Sequence, residues 1–156
     1  MNPRYALALL RIGVGLYFIS QVGGKTPSFL LSGQNLARQL QNGLPRSQDF
    51  YQPFLQTVVL PHVDLFARLV FFGEWLVGIC LVLGLLTPAA ALVGLWLNVN
   101  YMLMKGLPSA AGSVDRLFVL ADIVFIAAGA GLTLGLDALL LRRLRGSRSP
   151  SSSRRA

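Results

Sequence analysis

Cysteine, histidine and charge are all scarce in this sequence of 156 residues. The one cysteine, Cys80, sits in an apolar run. A single thiol excludes an intramolecular disulfide and a dithiol relay, and this one reads as a small buried hydrophobe. The one histidine is His62. One Cys and one His cannot close a structural metal site, so no metal centre is expected. No phosphate loop, nucleophile triad or haem-attachment motif occurs either. Charged residues make up 13% of the chain and hydrophobic ones 54%. A soluble domain carries roughly a quarter charged residues. A chain this poor in charge cannot cover its surface with polar groups, so lipid must cover much of it.

The charge that is present is lopsided, at +8. Six of the fourteen Lys and Arg residues lie at the C-terminal end: Arg142, Arg143, Arg145, Arg148, Arg154 and Arg155. Without them eight basic residues face six acidic ones, a balance of +2. A basic run directly after an apolar segment marks a cytoplasmic anchor beside anionic lipid, not a nucleic-acid surface.

Four apolar stretches cover residues 5–22, 65–86, 89–104 and 117–136. At about 1.5 Å per residue each spans or nearly spans a hydrocarbon core of roughly 30 Å, the third being short. The predicted fold is all-α: a polytopic membrane protein with a four-transmembrane-helix bundle. No cleavable signal peptide is evident, so the first stretch is expected to be retained. Gly84 to Pro88 reads as a tight helical hairpin, with Thr87 capping the next helix and Pro88 at its first position. The long connection from Gly24 to Asp64 repeats apolar residues at helical spacing: Phe29, Gly33, Leu36, Leu40 and Leu44, then Tyr51, Phe54, Leu55 and Val58. Two amphipathic interfacial helices lidding the bundle satisfy that pattern, and so does a loop resting on the membrane. Residues 1–145 read as the membrane domain and 146–156 as a disordered basic cytoplasmic tail. An even number of crossings puts both termini in the cytoplasm of a plasma-membrane (inner-membrane) protein.

Ionisable groups inside a membrane are functional candidates by default. They are Arg11, Glu74 and Asp122, joined by the amides Asn98 and Asn100. Asp122 lies about six residues, roughly 9 Å, below the outer end of the fourth helix, and Asn98 a similar depth in the third. Asp115, Asp122 and Gly129 share a helix face, as do Gly94, Asn98, Tyr101 and Lys105, and Glu74 with Gly78. Small residues beside polar ones mark faces turned toward other helices. The expectation is one polar pocket, open toward the outer interface, lined by Arg11, Glu74, Asn98 and Asp122, with Lys25 and His62 near its mouth. Arg11 either pairs with Glu74 or Asp122 or snorkels to the cytoplasmic surface. The cluster either binds a small molecule such as a quinone headgroup, or carries an ion, or simply holds helices in register.

Several segments together resemble the DoxX family. They are Arg11-Ile12-Gly13-Val14-Gly15 with Phe18 and Lys25; Leu60 to Asp64 running into Gly73-Glu74 and Gly78; Leu83-Gly84 to Thr87; Asn98 to Gly106; and Gly129 to Gly131 with Leu134 to Asp137. The likeness covers nearly the whole chain except the tail. Pro88 departs from it, since the family often has Arg there. The resemblance implies a four-helix bacterial or archaeal membrane protein. In DoxD-like members it implies a membrane subunit of thiosulfate:quinone oxidoreductase. The chain has no evident redox centre of its own and no covalently bound cofactor is expected, so electron transfer would need a partner redox subunit or a bound quinone. The leading expectation is a membrane subunit of a quinone-linked redox system. The alternatives are a non-catalytic assembly partner of another protein and a small transporter built as a homo-oligomer.

Overall fold

A computed structural model describes residues 2–23, 33–107 and 112–146. All regular structure among them is helical. In chain order the helices are α1 (Pro3–Gly23), α2 (Gln34–Gly43), α3 (Gln52–Phe54), α4 (Val63–Leu83), α5 (Thr87–Lys105), α6 (Ser113–Ala128) and α7 (Leu136–Gly146). Helix α1 packs along α4 and α5 along α6. Contacts of α4 with α5 and of α1 with α6 close a four-helix bundle. Its core is Val14, Phe18, Val77, Leu81, Leu97 and Phe125. Tyr17 and Phe118 pack their rings across the α1–α6 seam, centroids 4.6 Å apart and planes tilted by 55°.

Among the described residues only α1 and α4, each of 21 residues, are long and apolar enough to cross a membrane by themselves. Helix α5 carries Asn98, Asn100 and Lys105. Helix α6 has 16 residues, so the predicted fourth stretch is cut short. It ends at Gly129 in a left-handed conformation, and a short 3-10 turn over Ala130–Leu132 follows before α7. Large apolar side chains face outward on every bundle helix, among them Leu16, Phe72, Leu92, Trp96, Leu117 and Leu120.

The seam between α1 and α4 is made by glycines. A Cβ built on Gly15 would lie 2.8 Å from the Val82 nitrogen and 2.9 Å from the Gly78 oxygen. The two backbones therefore meet where no side chain fits, the small-residue contact that brings helices together in lipid. The α4–α5 hairpin turns at Gly84, with φ of 62°. Its amide and that of Leu85 close back on Leu81 and Cys80, a Schellman ending in which glycine carries the left-handed position without strain. The entry to α5 differs from expectation. Thr87 is already helical, and its hydroxyl caps nothing. The cap is the Asp137 carboxylate of α7, which accepts from the Leu86 amide at 2.6 Å and the Thr87 amide at 2.9 Å.

One end of the bundle carries a lid. There α1 finishes, α4 begins, and α2 lies across α4 and α5. Leu36 and Leu40 form the buried stripe of α2. Beyond α3 the chain widens into a π-helix, Leu55–Val59. That widening rotates the expected register. Leu55 stays buried, but Val59 (6% exposed) goes inward and Val58 (40% exposed) does not. Lid and bundle are pinned by the Gln48 amide donating to the Leu103 carbonyl at 3.1 Å and by the Tyr51 hydroxyl donating to Asn100 Oδ1.

Candidate functional site

A cavity of about 160 Å³ lies under α2 at the lidded end. Helix α4 supplies Glu74, α5 supplies Asn98, Tyr101 and Lys105, and α6 supplies Asp115. Helix α1 closes one side with Phe18 and Gln21. The helical period explains the convergence, because Asn98, Tyr101 and Lys105 step along one face of α5. The Tyr101 hydroxyl donates to Glu74 Oε1 at 2.6 Å. Lys105 Nζ pairs with Asp115, 2.8 Å from Oδ2 and 3.1 Å from Oδ1. The same ammonium sits 5.5 Å from the centre of the Tyr101 ring, a cation–π distance. One wall thus carries a carboxyl–phenol pair and an ammonium–carboxylate pair in mutual reach. Such a wall can donate hydrogen bonds to a carbonyl or anion and can take up or release protons.

Asp122 lies behind this wall. It is fully buried, and Oδ2 accepts from Asn98 Nδ2 at 2.8 Å. Gly94 faces it so closely that a Cβ there would stand 3.1 Å from Oδ1. Asn98 therefore touches the cavity on one side and Asp122 on the other.

Arg11 is elsewhere, and the expected pairing with Glu74 or Asp122 does not form. Its side chain leans toward the N-terminus of α1, as helix geometry directs. It does not emerge there either, being fully buried. Nη2 donates to the Leu134 carbonyl at 2.9 Å, and the guanidinium lies in the field of Asp137. Gly84 and Gly135 pack directly on it. This second polar cluster ties α1, the α4–α5 turn and α7 together, with glycine backbone pressed against the guanidinium. His62 precedes α4 on the exposed surface and does not line the cavity. Lys25 lies outside the described residues, as does the predicted tail beyond residue 146.

Tyr101, Lys105 and Asp115 also line the cavity, beyond the residues expected to form the pocket. The signal was present, since Tyr101 and Lys105 share a stripe with Asn98 and Asp115 shares one with Asp122. Among the described residues no three His, Cys, Asp or Glu side chains come together to hold a metal.

The class is thus an all-helical bundle with two membrane-length helices and a lidded polar cavity at one end. A family model described as TQO small subunit DoxD matches residues 5–150. The chain belongs to this DoxD family of membrane proteins. No curated protein and no solved structure matches it.

Proposed function

We propose that this chain is the membrane subunit of a thiosulfate:quinone oxidoreductase-like system and that the lidded cavity holds a quinone ring. All four bundle helices then cross the bilayer, with the lid on the outer face and both termini in the cytoplasm of the plasma (inner) membrane. The apolar outward faces of α5 and α6 support this, because Leu92, Trp96, Leu117 and Leu120 are exposed large apolar side chains among the described residues. The family description as a small subunit supports a partner redox subunit as the source of electrons.

The observation that carries the reading is the wall shared by Glu74, Tyr101, Lys105 and Asp115. Reduction of a quinone adds two electrons and two protons to its ring oxygens. Donors must hold those oxygens as charge develops on them, and acids must supply the protons. Lys105 and Tyr101 are the donors here, and the Glu74 and Asp115 carboxyl groups exchange protons with them. Arg11 lies outside this role, while Asn98 and Asp122 support the wall from behind.

The test is quinone binding to the full chain in lipid, together with quinone reduction by membranes that contain its partner. Glu74→Gln and Tyr101→Phe each remove one side of a charge-assisted bond. The expected loss is about 1.5–3 kcal/mol, roughly 10- to 150-fold in affinity. Full affinity and activity in both variants would refute the assignment.

A further inference from the structure

The polar cavity has an apolar neighbour. It measures about 50 Å³ and lies beneath α3 and the π-helix. Leu36, Val70, Tyr101 and Met104 line both spaces, so the two lie side by side with only these side chains between them. Its other walls are apolar, chiefly Leu40, Phe54, Leu55, Val59 and Phe66. The polar groups that reach it are mutually satisfied. Tyr51 donates to Asn100, and Asn100 Nδ2 donates to the Trp96 carbonyl at 2.6 Å. Nothing in this space asks for a polar ligand. Trp96 lines it and is also 52% exposed on the outer face of the bundle, so the apolar space reaches the outward surface at Trp96.

Resting on the quinone reading above, we infer that this apolar space is the channel for the quinone's prenyl tail. The two spaces divide the ligand by chemistry and by size. The larger one, with acids and donors, suits a ring with two oxygens. The narrower one suits a slim hydrocarbon chain and excludes a ring. The π-helix is part of the construction, because it turns Val59 inward to form the wall. Isolated π-turns inside helices recur at functional sites. The tail gains little free energy by leaving lipid for this channel, since both are apolar. Its effect is steric: a tailed quinone enters only if the channel is open.

The probes are decylubiquinone and a menaquinone with a short prenyl tail, each compared with its tailless ring. Binding to the full chain in lipid nanodiscs is measured per mole of lipid, which removes membrane partitioning. Val59→Trp fills the channel. It is expected to weaken both tailed probes by about tenfold, roughly 1.4 kcal/mol, and to leave the tailless rings unchanged. Equal loss for tailed and tailless probes, or no loss for either, overturns the channel. A second measurement needs no channel variant. In a Trp75→Phe background Trp96 is the sole indole. A bromine on the probe's tail is expected to quench its fluorescence in proportion to Glu74-dependent binding. Tailless rings that bind while the tail bromine leaves Trp96 bright overturn the channel alone. If no ring binds the unaltered chain, the quinone site itself fails and the channel falls with it.

Discussion

Replacing Asp137 by alanine tests the closed cluster at the end of the bundle opposite the lid. The carboxylate accepts from two amides at the start of α5, at 2.6 and 2.9 Å. Those amides belong to a helix entry where Pro88 has no N–H to offer and where no local side chain caps. Loss of a side-chain cap costs about 0.5–2 kcal/mol. A second, smaller effect concerns Arg11, which is fully buried, donates to the Leu134 carbonyl and feels this carboxylate as a nearby charge without bonding to it. Asp137→Ala is expected to lower unfolding free energy by about 1–3 kcal/mol in total, most of it from the two amides left without an acceptor. Asp137→Asn keeps an acceptor oxygen and the side-chain shape but no charge, and should lose less. The assay is reversible unfolding in mixed detergent, followed by helicity. Arg11→Met in the same background supplies a double-mutant cycle. If the Arg11 charge contributes, the cycle shows a coupling of at least about 0.5 kcal/mol. Additive singles, or an Asp137→Ala variant within about 1 kcal/mol of the parent, would refute the claim that this cluster locks α1, the turn and α7.

Two further predictions concern the seam and the lid. Gly15→Ala drives a methyl group into the α4 backbone and should cost about 1–3 kcal/mol. Gly13→Ala meets nothing within 4 Å and should be neutral or slightly stabilising, so equal effects in the same assay would refute the glycine seam. Burial pushes the Tyr51 phenol from its ordinary 10.0 up to about 12. The folded chain therefore holds this proton more tightly than the unfolded one, so the contribution to stability is full below pH 10 and is lost as pH rises toward about 12. Phenolate absorbance of the parent minus that of Tyr51→Phe reads this directly, and ionisation of Tyr51 near its ordinary value would contradict its burial under the lid.

The parts of the fold legible in the sequence were those written in local pattern. Apolar runs near membrane length located α1 and α4 within about three residues, and a glycine between two such runs located the hairpin. The break after α6 was invisible, because residues 117–136 stay apolar through it and hydropathy does not register one left-handed glycine. Helix α7 was hidden in the same way, its leucines merging into the apolar run and its arginines into the tail. The cap on α5 was beyond reach, since Asp137 is fifty residues away from the amide of Thr87 that it binds. For Arg11 the face was right and the depth was wrong. Side chains on a helix lean toward its N-terminus, which carried the guanidinium away from Glu74 and Asp122. For Val59 the helix period itself failed, because the pattern assumed 3.6 residues per turn where the chain forms a π-helix.

Burial of polar groups alone does not separate a binding site from a structural tie, and the two polar clusters of this chain differ in the room beside them. Around Arg11 the space is filled: glycines press on the guanidinium, and the Asp137 carboxylate is committed to two backbone amides. A ligand entering there would have to unfold something first. Arg11 nevertheless keeps Nε and Nη1 without a hydrogen-bond partner. Around Glu74 and Lys105 the polar groups are paired, and they border about 160 Å³ of room under the short helices of the lid. There an incoming oxygen can share a donor without breaking the bundle. Asp122 belongs to the second group through Asn98, whose amide is its link to the cavity. Substitutions at Asn98 should therefore disturb the chemistry of the cavity and the state of Asp122 together, whereas substitutions at Arg11 should disturb the stability of the fold and leave the cavity's ligand preference intact.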